Sequence, residues 1–192
     1  MNLEGKKRLG LALCGSYCTY ETLFAAAEGL AEEYELVPIF SDTAAETDSR
    51  FGRASEHMRR LSALCGRRVI STIPEAEPLG PASPLDALLI APCTGNTLAK
   101  LAHGITDSAV TMAAKAHLRN GRPVIIALST NDGLSGSAEN IARLLNRKHF
   151  YFVPFGQDDP EKKPCSLQAD FSRLAPAIEA ALAGRQLQPV LR

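Results

Sequence analysis

A short apolar run, followed at once by a small polar segment and a helix-like pattern, constrains the fold of this chain most strongly. Residues 86–91 have the length and composition of a buried strand, and Leu98, Leu101 and Ile105 recur at helical spacing. Residues 92–97 connect the two and are small, polar and turn-prone. Parallel sheets bind ligands where strands end and helices begin, because backbone N–H groups and the positive helix terminus point there. The sequence therefore predicts a ligand site at this connection.

The same alternation continues along the chain and predicts its fold class. Further strands are predicted at residues 8–14, 35–40, 68–71, 123–128 and 149–155. Helical patterns separate them, at residues 19–30, 53–64, 98–105, 109–119, 137–146 and 167–183. This order is typical of an α/β protein with a doubly wound, mainly parallel sheet and helices on both faces. We expect a single Rossmann-like domain over residues 1–192, with a strand order that the pattern leaves open.

Composition and charge argue against several classes of function. Hydrophobic residues make up 45% of the chain and charged residues 22%, as in ordinary globular proteins. The formal net charge is zero, so nothing predicts attraction to nucleic acid or to an anionic membrane. No apolar run approaches the ~18 residues of a membrane span, and no signal peptide is evident, so we expect a cytoplasmic protein. The five cysteines are odd in number and widely spread, which predicts neither a disulfide framework nor a metal site.

Small residues with hydroxyl, amide or accessible backbone groups follow four of the predicted strands. Since the carboxyl ends of parallel strands share one edge of the sheet, we expect these residues to form one site. Such groups, without a ring of lysines, suit a phosphate joined to a flat heteroaromatic ring. The candidate residues are Gly15, Ser16, Thr19, Ser41, Thr43, Pro92, Thr94, Gly95, Asn96, Thr97, Ser129, Thr130 and Asn131.

Other segments carry weaker signals. The polar residues 44–52 are expected to form a mobile loop over the site, and the Pro-rich residues 75–84 a connection between elements. His57 lies among charged residues, which is typical of a surface position. Cys93 lies beside the predicted ring site, where a helix N-terminus would lower its thiol pKa, but a small space-filling residue is the simpler interpretation.

Residues 91–108, APCTGNTLAKLAHGITDS, resemble the signature of the homo-oligomeric flavin-containing cysteine decarboxylase superfamily. Members read Ala-Pro-Ala-Ser-Ala-Asn-Thr, followed by Ala-Lys-x-Ala-x-Gly-x-x-Asp, and this chain matches at Pro92, Asn96, Thr97, Ala99, Lys100, Ala102, Gly104 and Asp107. The resemblance implies a flavoprotein fold that binds FMN. It implies a flavin phosphate on Gly15, Ser16 and Thr19, with Ser41 and Thr43 nearby. The flavin edge would contact Thr94, Gly95 and Asn96.

A second resemblance covers nearly the whole chain. Residues 70–81, 112–132, 150–164 and 186–190 resemble the family of B subunits of dipicolinate synthases. That family implies a two-subunit enzyme of sporulating bacteria, in the mother-cell cytoplasm, which oxidises a dihydrodipicolinate-level intermediate to dipicolinate. The partner would be the A subunit of dipicolinate synthase, a dehydrogenase that would hold NAD(P). Relatives assemble as trimers or multiples of trimers, and the small-residue helix around residues 109–116 is a candidate interface for such a homo-oligomer.

The sequence departs from the decarboxylases at their catalytic residues. Where those enzymes carry a catalytic His and a Pro-x-Met-Asn segment, residues 49–52 and 129–132 contain neither His nor Met, so no general base is identified. Arg50 and Lys100 are candidates for binding a dicarboxylate. Three functions stay open: an FMN-binding subunit that supports the oxidation, a non-catalytic partner that docks through residues 78–84 and 158–163, and an FMN-dependent decarboxylase.

Overall fold

The computed structural model describes residues 5–80, 82 and 84–192. Its main strands are β1 (Arg8–Leu13), β2 (Glu35–Phe40), β3 (Ala87–Cys93), β4 (Val124–Thr130) and β5 (Phe150–Phe152). They are parallel and lie in the order β2-β1-β3-β4-β5. Two short strands, β6 (Phe155–Gln157) and β7 (Leu167–Ala169), form an antiparallel pair, and β7 joins the end of β4. The predicted mainly parallel α/β sheet is confirmed.

Helices connect these strands and pack on the sheet. The helices of the described residues are α1 (Tyr20–Glu33), α2 (Asp42–Glu46), α3 (Ala54–Cys65), α4 (Ile73–Ala76), α5 (Gly95–His103), α6 (Ala109–Leu118), α7 (Ala138–Leu145) and α8 (Leu174–Leu182). Helix α1 packs on β2 and β3 beside α3, whereas α6 packs on β2, β3 and β4 beside α4 and α5.

Strand β3 forms the centre of the sheet, and all seven of its residues are buried. Its neighbours β1 and β4 provide hydrogen-bond partners for its backbone on both edges. Helices cover it, so its sequence is a continuous apolar run rather than an alternating one. This rigid centre fixes the carboxyl ends of β1, β3 and β4 relative to one another.

The connection predicted after β3 is shorter than expected. Pro92 and Cys93 belong to the strand, because Cys93 pairs with Leu128 of β4 beyond an irregularity in the ladder. Thr94 is the N-cap of α5, and its hydroxyl accepts a hydrogen bond from the backbone N–H of Thr97 at 3.3 Å. Strand and helix are thus separated by one residue, which brings the helix N-terminus directly to the sheet edge.

Several other predicted boundaries are wrong. Residues 68–71 form no strand and contribute one isolated bridge, between Ile70 and Ile39. Residues 75–84 begin inside α4 and continue in a 3-10 turn at Glu77–Leu79, while Pro81 and Ser83 lie outside the described residues. The strand predicted at 149–155 is divided into β5 and β6 around Pro154. Proline has no backbone N–H to donate to a ladder.

The prediction of an exposed His57 is also wrong. The residue is 5% exposed, because it shares the inner face of α3 with Leu61, and its ring centroid lies 4.8 Å from that of Tyr20. The predicted loop at 44–52 instead begins within α2 and ends in a turn in which Ser49 and Gly52 exchange backbone hydrogen bonds.

Helix α6 does not offer its small residues as an interface between protomers. Ala109, Ala113 and Ala116 are at most 4% exposed within the chain itself. They allow α6 to pack closely on the sheet and on α4. The predicted use of residues 109–116 for assembly is therefore wrong.

Candidate functional site

The ends of β1, β2, β3 and β4 meet at one edge of the sheet and surround a cleft. Its larger lobe has a volume of 630 Å³ and its smaller lobe 220 Å³. Gly15, Thr94 and Asn96 line both lobes, so the two form one continuous depression. This is the place where a parallel sheet of this kind binds its ligand.

Eleven of the thirteen predicted cofactor-binding residues line this cleft. We refer to these eleven as the strand-end wall: Gly15, Ser16, Ser41, Thr43, Thr94, Gly95, Asn96, Thr97, Ser129, Thr130 and Asn131. Ser16 also fixes the wall internally, since its hydroxyl donates to the carbonyl oxygen of Ser129 at 2.8 Å. That bond joins the ends of β1 and β4 across the cleft.

Three predicted side chains lie away from the cleft surface. Thr19 is 3% exposed, and its hydroxyl donates to the Ser16 carbonyl at 2.9 Å, so it stabilises the turn beneath the site. Pro92 is buried inside β3. The guanidinium of Arg50 lies 4.8 Å from the ring centroid of Phe51, and Phe51 rather than Arg50 lines the larger lobe.

The smaller lobe is rich in hydroxyl groups and contains a cation. Ser41 is the N-cap of α2, and its oxygen accepts from the Ala44 N–H at 3.3 Å. Thr43 and Ser108 add further hydroxyls. Lys100 lines the same lobe, and its Nζ lies 2.9 Å from a carboxylate oxygen of Asp107. Lys100, predicted as a substrate residue, therefore lies with the hydroxyl cluster rather than in the larger lobe.

Gly95 allows a close approach between the start of α5 and the loop after β4. A Cβ atom at Gly95 would lie 2.6 Å from Ser137 Oγ, 2.7 Å from Thr130 Oγ1 and 2.9 Å from Asp132 Oδ1. The Thr130 hydroxyl also donates to the Asp132 carboxylate. Asp132 itself lines the larger lobe. The sequence places Asp132 in the polar run after β4, but the candidate binding residues ended at Asn131, so Asp132 was missed.

A second wall of the larger lobe comes from the β6–β7 hairpin, which the sequence did not predict. We call it the hairpin wall: Asp158, Lys163, Ser166 and Gln168. Lys163 Nζ lies 3.0 Å from Asp158 Oδ2, and Gln168 pairs with Ser129 in the β4–β7 ladder. Partial burial acts to raise the pKa of Asp158, but hydrogen bonds from Ser166 and Lys163 outweigh it and leave that pKa lower than usual.

Cys14 and Cys93 are buried beneath the site, whereas Cys18 is exposed and lines the larger lobe. Burial raises the pKa of the Cys14 thiol to about 11 and the pKa of the Cys93 thiol well above its usual range. Cys93 is 0% exposed, in agreement with a space-filling role. Among residues 5–80, 82 and 84–192, no three His, Cys, Asp or Glu side chains are grouped to hold a metal ion. No helix there is long and apolar enough to cross a bilayer.

Comparison with known proteins assigns this architecture to a class. The sequence model of the Flavoprotein family matches residues 2–166. The chain therefore belongs to the Flavoprotein family.

Two relatives indicate a more specific similarity within this family. The chain is 48% identical over 191 residues to the B subunit of dipicolinate synthase from Bacillus subtilis strain 168, covering 99% of this chain and 95% of that protein. The crystal structure of the B subunit of dipicolinate synthase from Bacillus halodurans is 45% identical, with a TM-score of 0.89 over 100% of this chain and 98% of that one.

A more distant protein shares the fold. The dodecameric FMN-dependent UbiX-like decarboxylase from Escherichia coli O157:H7 is 24% identical, with a TM-score of 0.61 over 77% of this chain and 79% of its own. At that identity, the similarity concerns the fold alone.

Proposed function

We propose that this chain is the FMN-binding subunit of a dipicolinate synthase and that it supports oxidation of a dihydrodipicolinate-level intermediate. The observation that carries the proposal is the cleft, in which four strand ends combine a hydroxyl-rich lobe with a larger lobe. Membership of the Flavoprotein family and the 48% identity to the B subunit of a dipicolinate synthase support it.

The residues of the cleft fit FMN. A phosphate suits the smaller lobe, where Ser41 and Thr43 provide hydroxyls and Lys100 a positive charge. The N-terminus of α5 lies between the lobes and favours an anion there. A flat ring suits the larger lobe, where the amides of Asn96 and Asn131 make no side-chain hydrogen bond within the described part of the chain.

The oxidation removes two electrons and two protons from the dihydropyridine ring, and a bound flavin supplies a two-electron acceptor. One of the two protons would leave with the two electrons as hydride, and we propose that Asp132, the carboxylate beside Asn131 in the larger lobe, accepts the other. The hydroxyl of Thr130 donates to it and orients it toward the cleft.

The alternative of an FMN-dependent decarboxylase needs a catalytic His in the cleft. Among the described residues that line the two lobes there is no His, and the buried His57 lies instead against Tyr20 beneath the turn at Gly52. The alternative of a non-catalytic partner predicts that the cleft binds no flavin or binds it without turnover.

The test is anaerobic single-turnover reduction of protein-bound FMN. We expect freshly formed dihydrodipicolinate-level intermediate to bleach the visible flavin absorbance, on the order of 100-fold more slowly with Asp132→Asn. The Asp132→Asn variant should still bind FMN. Flavin that stays oxidised with substrate, both with and without the dehydrogenase partner, would favour the non-catalytic alternative.

We also propose that the chain forms a homo-oligomer and pairs with the nicotinamide-dependent A subunit of dipicolinate synthase. The dodecameric state of the Escherichia coli protein, a multiple of three, supports the first part, and the naming of the Bacillus relatives as B subunits supports the second. Light scattering of the purified chain should give a mass that is a multiple of three 20.6 kDa chains, and a monomer would contradict this.

A further inference from the structure

The two walls of the larger lobe differ in chemistry. The strand-end wall carries small hydroxyls and amides, whereas the hairpin wall carries Lys163 and Asp158. Within the part of the chain that the structure describes, Lys163 is the one cation among the residues lining this lobe. A carboxylate ligand in the lobe therefore has a single positively charged partner.

The ion pair between Lys163 and Asp158 is easily exchanged. Its N–O distance is 3.0 Å, but 58% of the Lys163 side chain is exposed. Ion pairs in such surroundings contribute little to stability, so a second carboxylate can replace Asp158 at small cost. Asp158 would not be left alone, since Ser166 lies beside it.

The backbone holds this pair in a defined place. The hairpin between β6 and β7 is braced by Lys163 N–H donating to Asp159 O at 2.8 Å and by Ser166 N–H donating to Lys163 O at 2.9 Å. Gln168 lies opposite Ser129 in the ladder, and within the described residues its amide makes no side-chain hydrogen bond. A free amide donor thus lines the same wall as the lysine and directly adjoins the strand-end wall.

We infer that Lys163 and Gln168 bind a carboxylate group of the substrate. Asp158 forms an ion pair with Lys163 until the substrate carboxylate replaces it. This inference rests on the proposed function for the identity of the ligand, a pyridine-type dicarboxylate. Lys163 and Gln168 thus replace Arg50 and Lys100, the substrate residues predicted from the sequence. Arg50 stacks on Phe51, and Lys100 lies in the smaller lobe.

The test is calorimetric titration of the full-length chain with dipicolinate, with and without FMN. We expect Lys163→Met to weaken dipicolinate binding about tenfold or more, since it removes a charge-assisted hydrogen bond. Asp158→Asn should strengthen it severalfold, because the internal competitor is lost. Lys162→Met is the matched control: this neighbouring lysine does not line the lobe and should leave the affinity unchanged.

Flavin titrations separate this inference from the proposed function. Lys163→Met should bind FMN as the unchanged chain does, because Lys163 lies on the hairpin wall. Failure of the chain to bind FMN would overturn the proposed function. Equal dipicolinate affinity of the unchanged chain and Lys163→Met, or weaker binding by Asp158→Asn, would overturn the carboxylate site even if FMN binds.

Discussion

At the residue scale, Gly95 shows how tightly the site is built. The space for its side chain is already filled by polar atoms of Thr130, Asp132 and Ser137. Any side chain at this position must push the start of α5 away from the loop after β4. The geometry of the cleft at the start of α5 thus depends on a residue that itself has no side chain.

We predict that Gly95→Ala lowers the free energy of unfolding by about 1–3 kcal/mol, as overpacking commonly does. It should weaken FMN binding at least tenfold, because the N-terminus of α5 shifts. Urea unfolding and flavin fluorescence measure the two effects. Gly29→Ala is the control: nothing lies within 4 Å of its Cβ position in α1, and it should raise stability by roughly 0.5–1 kcal/mol. Unchanged FMN affinity in Gly95→Ala would contradict the close approach.

The sequence revealed the strand-end wall because its signal is local. Glycine, hydroxyl and amide residues directly follow apolar runs, and parallel topology brings such ends together. Lys163 and Gln168 carry no comparable signal. They reach the cleft through the antiparallel pairing of β7 with β4, which depends on contacts distant in sequence.

At the element scale, the fit between α6 and β4 depends on a buried histidine. His117 is 0% exposed, and its Nε2 donates to the Pro123 carbonyl at 2.9 Å. Burial lowers the pKa of His117 to about 4, although the bond to Pro123 opposes this. The native state therefore keeps the imidazole neutral while the unfolded chain protonates it near pH 6.5.

This difference predicts a loss of stability in acid. Between pH 6.5 and pH 4 the unfolded chain binds the extra proton, so stability falls as the pH falls. From pH 7 to pH 5 the contribution of His117 should drop by about 2 kcal/mol. Urea unfolding of His117→Gln, which keeps a hydrogen-bond donor, should show a correspondingly smaller drop. The same pH dependence in both proteins would contradict this account.

Helix and strand identities were predictable where periodicity is strong, as in α1, α3, β1 and β2, whose observed and predicted bounds agree within a few residues. The secondary structure after residue 149 was not predictable in this way. A run such as LQA at Leu167–Ala169 suits the start of a helix equally well, and its pairing with β6 and with the end of β4 makes it a strand. The prediction that His57 is exposed failed for a similar reason, since only the packing of α3 buries it.

At the scale of the whole molecule, the proposed function divides the cofactor between the two lobes and gives the two walls of the larger lobe different ligands. In that proposal, the smaller lobe takes the phosphate, the strand-end wall takes the ring, and the hairpin wall takes the substrate carboxylate. This division predicts that the phosphate contributes much of the cofactor affinity, because Lys100 and the hydroxyls of the smaller lobe serve no other part of the ligand.

The most direct test of this account is a fluorescence titration of the purified chain with FMN and with riboflavin, which lacks the phosphate. We predict saturable binding of one FMN per chain, with at least tenfold preference over riboflavin. Lys100→Met should reduce that preference and leave riboflavin affinity unchanged. No binding of FMN, or equal affinity for FMN and riboflavin, would contradict the central claim that this cleft is a flavin site.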